Sequence, residues 1–537
     1  MNKPCLGGVC FFIKLLSKSS VLKNKCIWWV LGLHVAVWVV AHGIADTNLD
    51  SYADMLENYA WGQDLAWGSA KHPPLFAWIT GLWFAVLPTR DWAYHLLSYL
   101  NVAIGLLGVY RLAIAMDRKD LALPAVILLS MAFPYSTLAV KFNANAILLS
   151  LWPWVGLAWI QSIQTKGRKT WFWSMALGVL SALAMLGKYY SGVFLLGIFL
   201  STLVTPKGRA WLLTGRPWFT LLVFGLALLP HLQWLRSHDF VTLHYVGEQG
   251  GTGGTDWRLL FKFALAPIAY WLLPWLLVTL IWRASSSSVW DNLKAWPQRM
   301  WQSWRPHGWG DTLFWFALLP WAITLAFGMS GFVELSLPWA IPIGYGFSVL
   351  WLRNLSQQPI DTPLLTKRLI KCLWVWWAIV LMISPWYAWQ QAKNGTDNHY
   401  LPRREAAAAL LQKWQTRNPD VPLAWVGGQW AESALLAFYG DNRLRVVPEV
   451  PDQFPATVNP LPGWEKRAGL LVCPMGPVSA PNGSDCPDRM KAWLASHQQK
   501  SEPIDITVRS EGLRFPLDKP FRYIAFEYLP PRVNSSD

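Results

Sequence analysis

Charge is scarce in this sequence. Only 14% of its residues are Asp, Glu, Lys or Arg, where a soluble domain carries roughly 25%. Cysteine is also scarce, with 6 in 537 residues and none at metal-binding spacing, which excludes a disulfide scaffold and a zinc module. No Gly-rich phosphate loop is found, so nucleotide chemistry has no obvious seat. No RNA or DNA motif accompanies the net charge of +15, and nucleic acid is excluded as a partner. What the chain has instead is 53% hydrophobic residues and 39 tryptophans. Apolar runs recur from Ile27 to about Trp389, many near the ~20 residues that cross a bilayer. The composition predicts a polytopic α-helical membrane protein, surrounded by membrane lipids.

The N-terminus is basic, with Lys14, Lys18, Lys23 and Lys25 before the run Ile27–Val40. Residues 42–46 lack a small-x-small cleavage pattern, so 1–26 reads as a cytoplasmic segment before an uncleaved helix. The predicted spans are 27–44, 93–115, 121–139, 145–163, 171–187, 190–205, 217–235, 261–282, 310–328, 337–352 and 370–387, about 11 in all. Leu75–Leu87 is too short for a full crossing and reads as an interfacial or re-entrant helix. With this layout the presumed inner loops carry Arg118, Lys119, Lys166, Arg168, Lys169, Lys207, Arg209, Lys294 and Arg299, while the outer loops are sparse in Lys and Arg. That agrees with the positive-inside bias.

Residues 27–389 form the membrane domain in this reading, and 390–537 a soluble one on the outer side. In the latter, 403–414 reads as a helix and 421–426, 444–447, 469–473 and 523–528 as strands, predicting a small α/β domain. Cys5, Cys10, Cys26 and Cys372 fall on or near the inner side. Cys473 and Cys486 fall in the outer domain, where an oxidising compartment permits them to pair. The alternative is two free thiols.

Polar residues gather at the outer ends of the spans. If 54–63 is helical, Asp54, Glu57 and Trp61 share a face. A carboxylate there can act as general base toward a sugar or lipid hydroxyl, or hold a divalent cation against a phosphate. The plainer alternative is an amphipathic helix that floats at the interface. Lys71 and His72 precede Pro73 and Pro74, which set the start of the next helix, and their plainer role is contact with headgroups. Two more clusters sit at outer turns: LysPheAsnAlaAsn, 141–145, and GlyLysTyrTyr, 187–190. Lys141 and Lys188 suit a phosphate, though either could only snorkel. His244, Tyr245 and the glycine-rich 248–256 follow the seventh span as a candidate lid. Glu334 lies before the tenth. Together these predict a cavity open to the outer leaflet, with acidic and cationic parts, fit for a lipid-linked phosphosugar.

These motifs resemble those of the bacterial GT-C class integral-membrane glycosyltransferases, and most closely the dolichyl-phosphate-mannose-protein mannosyltransferase-like family 39, which includes aminoarabinose and galacturonic acid transferases of lipid A. The likeness rests on Asp54, TyrAlaTrpGlyGlnAspLeuAlaTrpGly (59–68), HisProProLeu (72–75), LysPheAsnAlaAsn and GlyLysTyrTyr, and covers about residues 27–390. It implies a GT-C fold with juxtamembrane helices in the first outer loop. It further implies a polyprenyl-phosphate-linked sugar as donor, a lipid or cell-envelope glycan as acceptor, and a bacterial inner membrane with the C-terminal domain in the periplasm. Asp54 falls at the family's catalytic base, with Glu57 beside it. Met55 stands where the family usually has Glu, so a metal requirement is left open. Lys141, Lys188, Lys71 and His72 are then the expected phosphate contacts. Tyr59, Trp61, Asn143, Asn145, Tyr189, His244, Tyr245 and Glu334 are the expected sugar or acceptor contacts. The competing reading is a transporter or flippase of a lipid-linked glycan. Such proteins carry internal repeats and midplane charges, and no clear repeat is found here.

Overall fold

In this computed structural model the described residues are 20–46, 48–49, 54–248, 254–282, 289–356, 361–394, 401–428, 430–440, 444–447, 462–478, 484–509 and 520–530. Cys5, Cys10 and most of the candidate lid lie outside them.

The membrane part runs through α1 (Ser20–Ala45), α2 (Asp54–Gly62), α3 (Leu75–Phe84), α4 (Asp91–Ala115), α5 (Lys119–Ser130), α6 (Leu148–Gln164), α7 (Arg168–Gly187), α8 (Ser191–Val204) and α9 (Pro206–Leu212). It continues through α10 (Arg216–Ser237), α11 (Val241–Glu248), α12 (Trp257–Ile281), α13 (Val289–Lys294), α14 (Trp296–Ser303), α15 (Thr312–Met329), α16 (Phe347–Leu355) and α17 (Thr362–Asn394). Each of the eleven expected segments contains a helix. Seven are long and apolar enough to cross a membrane unbroken: those in α1, α4, α7, α10, α12, α15 and α17.

The others depart from straight spans for visible reasons. The expected helix 121–139 ends at Ser130 and turns by 84° into the tight turns Phe133–Val140, with Pro134 at the bend. Beyond α8 the chain turns by 105° into α9, which starts on Pro206. The expected helix 337–352 is not one helix. A short turn spans Leu337–Ala340, and α16 begins only at Phe347. Pro338, Pro342 and Gly344, the last at φ +95°, keep 341–346 irregular. Irregular backbone at such depth is tolerated where protein or a cavity covers it.

Asp311 anchors the end of this region. Its carboxylate caps α15 by accepting from the Phe314 N–H at 3.2 Å. It also takes both Arg353 guanidinium nitrogens at 2.6 Å. Burial pushes the Asp311 carboxyl up, but the Arg353 and backbone donors outweigh it and hold it below the usual range.

α2 and α3 cross backbone to backbone at Gly62 and Gly81. A Cβ at either would collide with the other's main chain. That contact packs the helix bearing Asp54 against the helix set up by Pro73 and Pro74.

The C-terminal part comprises α18 (Arg403–Arg417), β1 (Trp425–Gly428), α19 (Trp430–Tyr439), β2 (Arg445–Val446), β3 (Gly469–Pro477), α20 (Cys486–Ser496), β4 (Ile504–Val508) and β5 (Phe521–Tyr528). The sheet order is β2-β1-β3-β5-β4. β1 pairs parallel with β2 and β3, while β3–β5 and β5–β4 are antiparallel. Helices α19 and α20 and strand β4 were not read from the sequence. Cys473 and Cys486 are disulfide-bonded and tie β3 to the start of α20.

This sheet domain rests on the segment between α1 and α4. Phe438 packs edge-on against Tyr59 and Phe84. The Tyr439 hydroxyl donates to Asp91 at 2.7 Å and accepts from the Leu49 N–H at 2.9 Å. Arg445 donates to the Gln63 carbonyl at 2.6 Å.

Candidate functional site

The segment between α1 and α4, the 143–145 turn, the α7–α8 turn, α11 and the chain from Thr324 to Trp339 line a cavity of about 470 Å³. α2 supplies Asp54, Glu57 and Asn58, and the loop before α3 supplies Lys71 and His72. The turn before α6 supplies Asn143 and Asn145. Lys188, Tyr189 and Tyr190 come from the α7–α8 turn, and Tyr245 from α11. Thr324, Glu334 and Trp339 close the far side.

Two asparagines dock the 142–146 turn onto α2. Asn143 Nδ2 donates to Asp54 Oδ2 at 2.9 Å. Its Oδ1 accepts from the N–H groups of Asn145 and Ala146, both at 2.9 Å, the self-bonding that suits Asn to turns. Asn58 Nδ2 donates to the Phe142 carbonyl. Asp54 is thus held by a neutral donor and makes no ion pair among the described residues, so it keeps acceptor capacity.

Lys188 follows the last residue of α7. Its ammonium donates to Asn145 Oδ1 at 2.6 Å and lies 5.8 Å from the Trp339 ring centroid. Burial pushes it down to about 8, against the opposing pull of Asp54. A carboxylate and an ammonium from distant parts of the chain therefore sense one another across the same cavity.

The second cation is spoken for. Lys71 is ion-paired with Glu57, whose side chain is only 8% exposed. His72 sits edge-on to Trp61, Phe76 and Tyr245. Burial, with Lys188 and Lys71 nearby, pushes its imidazole down to about 3. It is neutral at ordinary pH, which removes it as a charge partner for phosphate and leaves it as a hydrogen-bonding group.

Tyr189 and Tyr190 diverge from one turn. The Tyr190 hydroxyl meets Thr324 Oγ1 at 2.7 Å, and its ring packs on Trp339. The Tyr189 hydroxyl meets His231 Nε2 at 2.6 Å, and His231 Nδ1 meets the Trp67 carbonyl at 2.6 Å. A carbonyl only accepts, so the His231 proton sits on Nδ1 and Nε2 accepts from Tyr189.

Of the expected site residues, Asp54, Glu57, Lys71, His72, Asn143, Asn145, Lys188, Tyr189, Tyr245 and Glu334 line this cavity. Four do not. Tyr59 is buried beneath Phe84 and Phe438. Trp61 backs the His72 ring. Lys141 lies outside the lining, and His244 points outward from α11. Tyr190, Thr324 and Trp339 were missed as site residues. Among the described residues no three His, Cys, Asp or Glu side chains converge on a point that could hold a metal.

The fold has counterparts among known proteins. The profile of the dolichyl-phosphate-mannose-protein mannosyltransferase family matches residues 71–234. That segment holds Lys71–Leu75, the 141–145 turn and Lys188, but not Asp54. No curated protein matches the chain significantly. Among solved structures, ArnT from Cupriavidus metallidurans bound to undecaprenyl phosphate is similar over 94% of this chain and 98% of its own, at 15% identity and a TM-score of 0.59. Its apo form covers 95% and 99%, at 14% identity and the same TM-score of 0.59. The chain has the fold of ArnT. The match extends through the C-terminal sheet domain, since so little of either chain is left over.

Proposed function

We propose that this chain is an integral-membrane glycosyltransferase. It moves a sugar from a polyprenyl-phosphate donor to a lipid or cell-envelope glycan acceptor, on the periplasmic side of a bacterial inner membrane. The single observation that carries the reading is the pair Asp54 and Lys188, brought from α2 and the α7–α8 turn to one cavity at the ends of the spans.

In the reaction so read, Asp54 accepts the proton of an acceptor hydroxyl. The hydroxyl oxygen attacks the anomeric carbon, and the bond from that carbon to the phosphate oxygen breaks. The electron pair leaves with the phosphate, whose gained negative charge Lys188 stabilises. A single direct displacement inverts the anomeric configuration. Asn143 orients the base and Asn145 the ammonium. The Tyr190–Trp339 pair offers flat apolar surface to a sugar face, and Glu334, Tyr245 and Tyr189 offer polar contacts. Glu57 holds Lys71 rather than sharing the base role. The undecaprenyl phosphate bound by ArnT supports a polyprenyl-phosphate donor for this cavity. The basic loops at the opposite ends of the spans support the periplasmic placement.

The test is transfer by purified protein in native-lipid nanodiscs. It is given radiolabelled undecaprenyl-phosphate sugars and an envelope lipid and glycan extract, with Asp54→Asn in parallel. A labelled product that vanishes in the variant is expected. Labelled donor crossing the bilayer without product would replace the transferase with a flippase.

A further inference from the structure

A second cavity lies at the other end of α7. The 20 residues of α7 rise about 30 Å, so its first turn is a membrane thickness away from Lys188. There the 163–171 segment meets 214–216 around an open groove of about 670 Å³. Three cations line it, Lys166, Arg168 and Arg216, and no carboxylate does.

The cations divide into a fixed one and two available ones. Arg216 is held by Thr214 Oγ1 at 3.0 Å and by the Ser162 carbonyl at 3.2 Å, which joins the two loops. Lys166 and Arg168 are exposed and make no hydrogen bond or ion pair among the described residues. A basic loop that merely obeys the positive-inside bias needs no cavity and no fixed guanidinium. This one has both. α7 also begins at the groove without a side-chain cap, so its first main-chain N–H groups add to the positive character.

The surroundings select the kind of anion. Trp171 lines the groove, is 50% exposed and packs edge-on against Phe219. Trp218 is 72% exposed. Tryptophan at such a position marks headgroup depth. Below it Phe172, Leu221 and Leu222 are exposed and offer an apolar track along α7 and α10 for acyl chains.

We propose that this groove binds the phosphodiester headgroup of an anionic phospholipid in the leaflet facing the basic loops. Basic pockets between membrane helices are suited to such headgroups. The proposal stands on the groove alone and does not depend on the glycosyltransferase reading.

The experiment is native mass spectrometry of the full chain in mild detergent, titrated with phosphatidylglycerol or phosphatidylethanolamine. The wild type is expected to retain the anionic lipid preferentially. Lys166→Gln/Arg168→Gln is expected to lose at least about tenfold of that retention, since each surface cation contributes about fivefold. Both side chains are exposed and unpaired, so the variant should keep the wild-type melting temperature. Lys367→Gln/Lys371→Gln, in α17, should keep the preference. Unchanged retention in the groove variant, or equal loss in the α17 variant, would overturn the proposal. Inorganic phosphate at millimolar concentration should not displace the lipid. Full displacement would make the groove a general anion site and overturn the lipid assignment.

Discussion

Asp54 Oδ2 accepts from Asn143 Nδ2 at 2.9 Å, across 89 residues of chain. The donor is itself fixed, because its Oδ1 is bonded to two main-chain N–H groups. A carboxylate aimed by a rigid neutral donor is oriented without being neutralised. Asp54→Asn should therefore reduce turnover by about 10²–10⁴, the range of a general base, with membrane abundance near wild type. Retained turnover in purified Asp54→Asn would remove Asp54 as the base. Asn143→Ala should lose less turnover than Asp54→Asn, but more stability, because it also unpairs the turn.

On the proposed reading, Lys188 should make donor affinity depend on pH. Its ammonium is pushed down to about 8, so it is charged below that pH and loses its proton as pH rises through it. Apparent KM for the donor should therefore rise between pH 7 and 9, while Lys188→Arg should move the rise to higher pH. A flat KM across that window in the wild type would separate Lys188 from the phosphate.

The Lys71–Glu57 pair predicts a thermal signature rather than a kinetic one. Lys71→Ala removes the ion-pair partner of a carboxylate that is 8% exposed, while Lys71 itself is 32% exposed. Breaking a buried pair costs about 3–5 kcal/mol, and solvent at Lys71 reduces this to roughly 1–3 kcal/mol. Lys71→Ala/Glu57→Gln should recover most of the lost melting temperature. If the double variant recovers stability but donor KM stays high, Lys71 contacts the phosphate as well.

The Cys473–Cys486 disulfide closes a short loop with a sequence separation of 13. Closure of that length contributes about 3 kcal/mol. Replacing both cysteines with Ala should lower the unfolding temperature of the sheet domain, which thermal scans with and without reductant would register. An identical temperature in the wild type with and without reductant would show that the bond adds nothing.

The parts of the site legible in the sequence were those where polar residues interrupt apolar runs at turns. Asp54, His72, Asn143, Asn145, Lys188 and Glu334 all stand out in that way, and all line the cavity. Thr324 was invisible because a threonine inside an apolar helix usually bonds its own turn, as it also does here to the Pro320 carbonyl. Trp339 was hidden among many tryptophans. Tyr59 and Trp61 were misassigned because helical spacing groups residues by face without revealing what covers each face. α2 is covered almost all round, and part of its cover comes from residues nearly 400 positions later. The break at Pro134 and the irregular 341–346 had local signals in proline and glycine, but hydropathy alone overran both. In the C-terminal part, the strand at 504–508 escapes sequence reading because two of its five side chains, Asp505 and Thr507, are polar and face outward.

Phe438 against Tyr59, Tyr439 on Leu49 and Asp91, and Arg445 on Gln63 place the sheet domain directly on the helix that bears Asp54. On another side the 142–146 turn grips the same helix, with the Phe142 carbonyl on Asn58 and Asn143 on Asp54. That nine-residue helix is too short to hold its shape alone, so its geometry is inherited from both neighbours. The tail is in this sense a roof beam over the cavity. Cutting the chain after Asn394 would remove the contacts to Tyr59, Leu49, Asp91 and Gln63 that brace this helix and its neighbours.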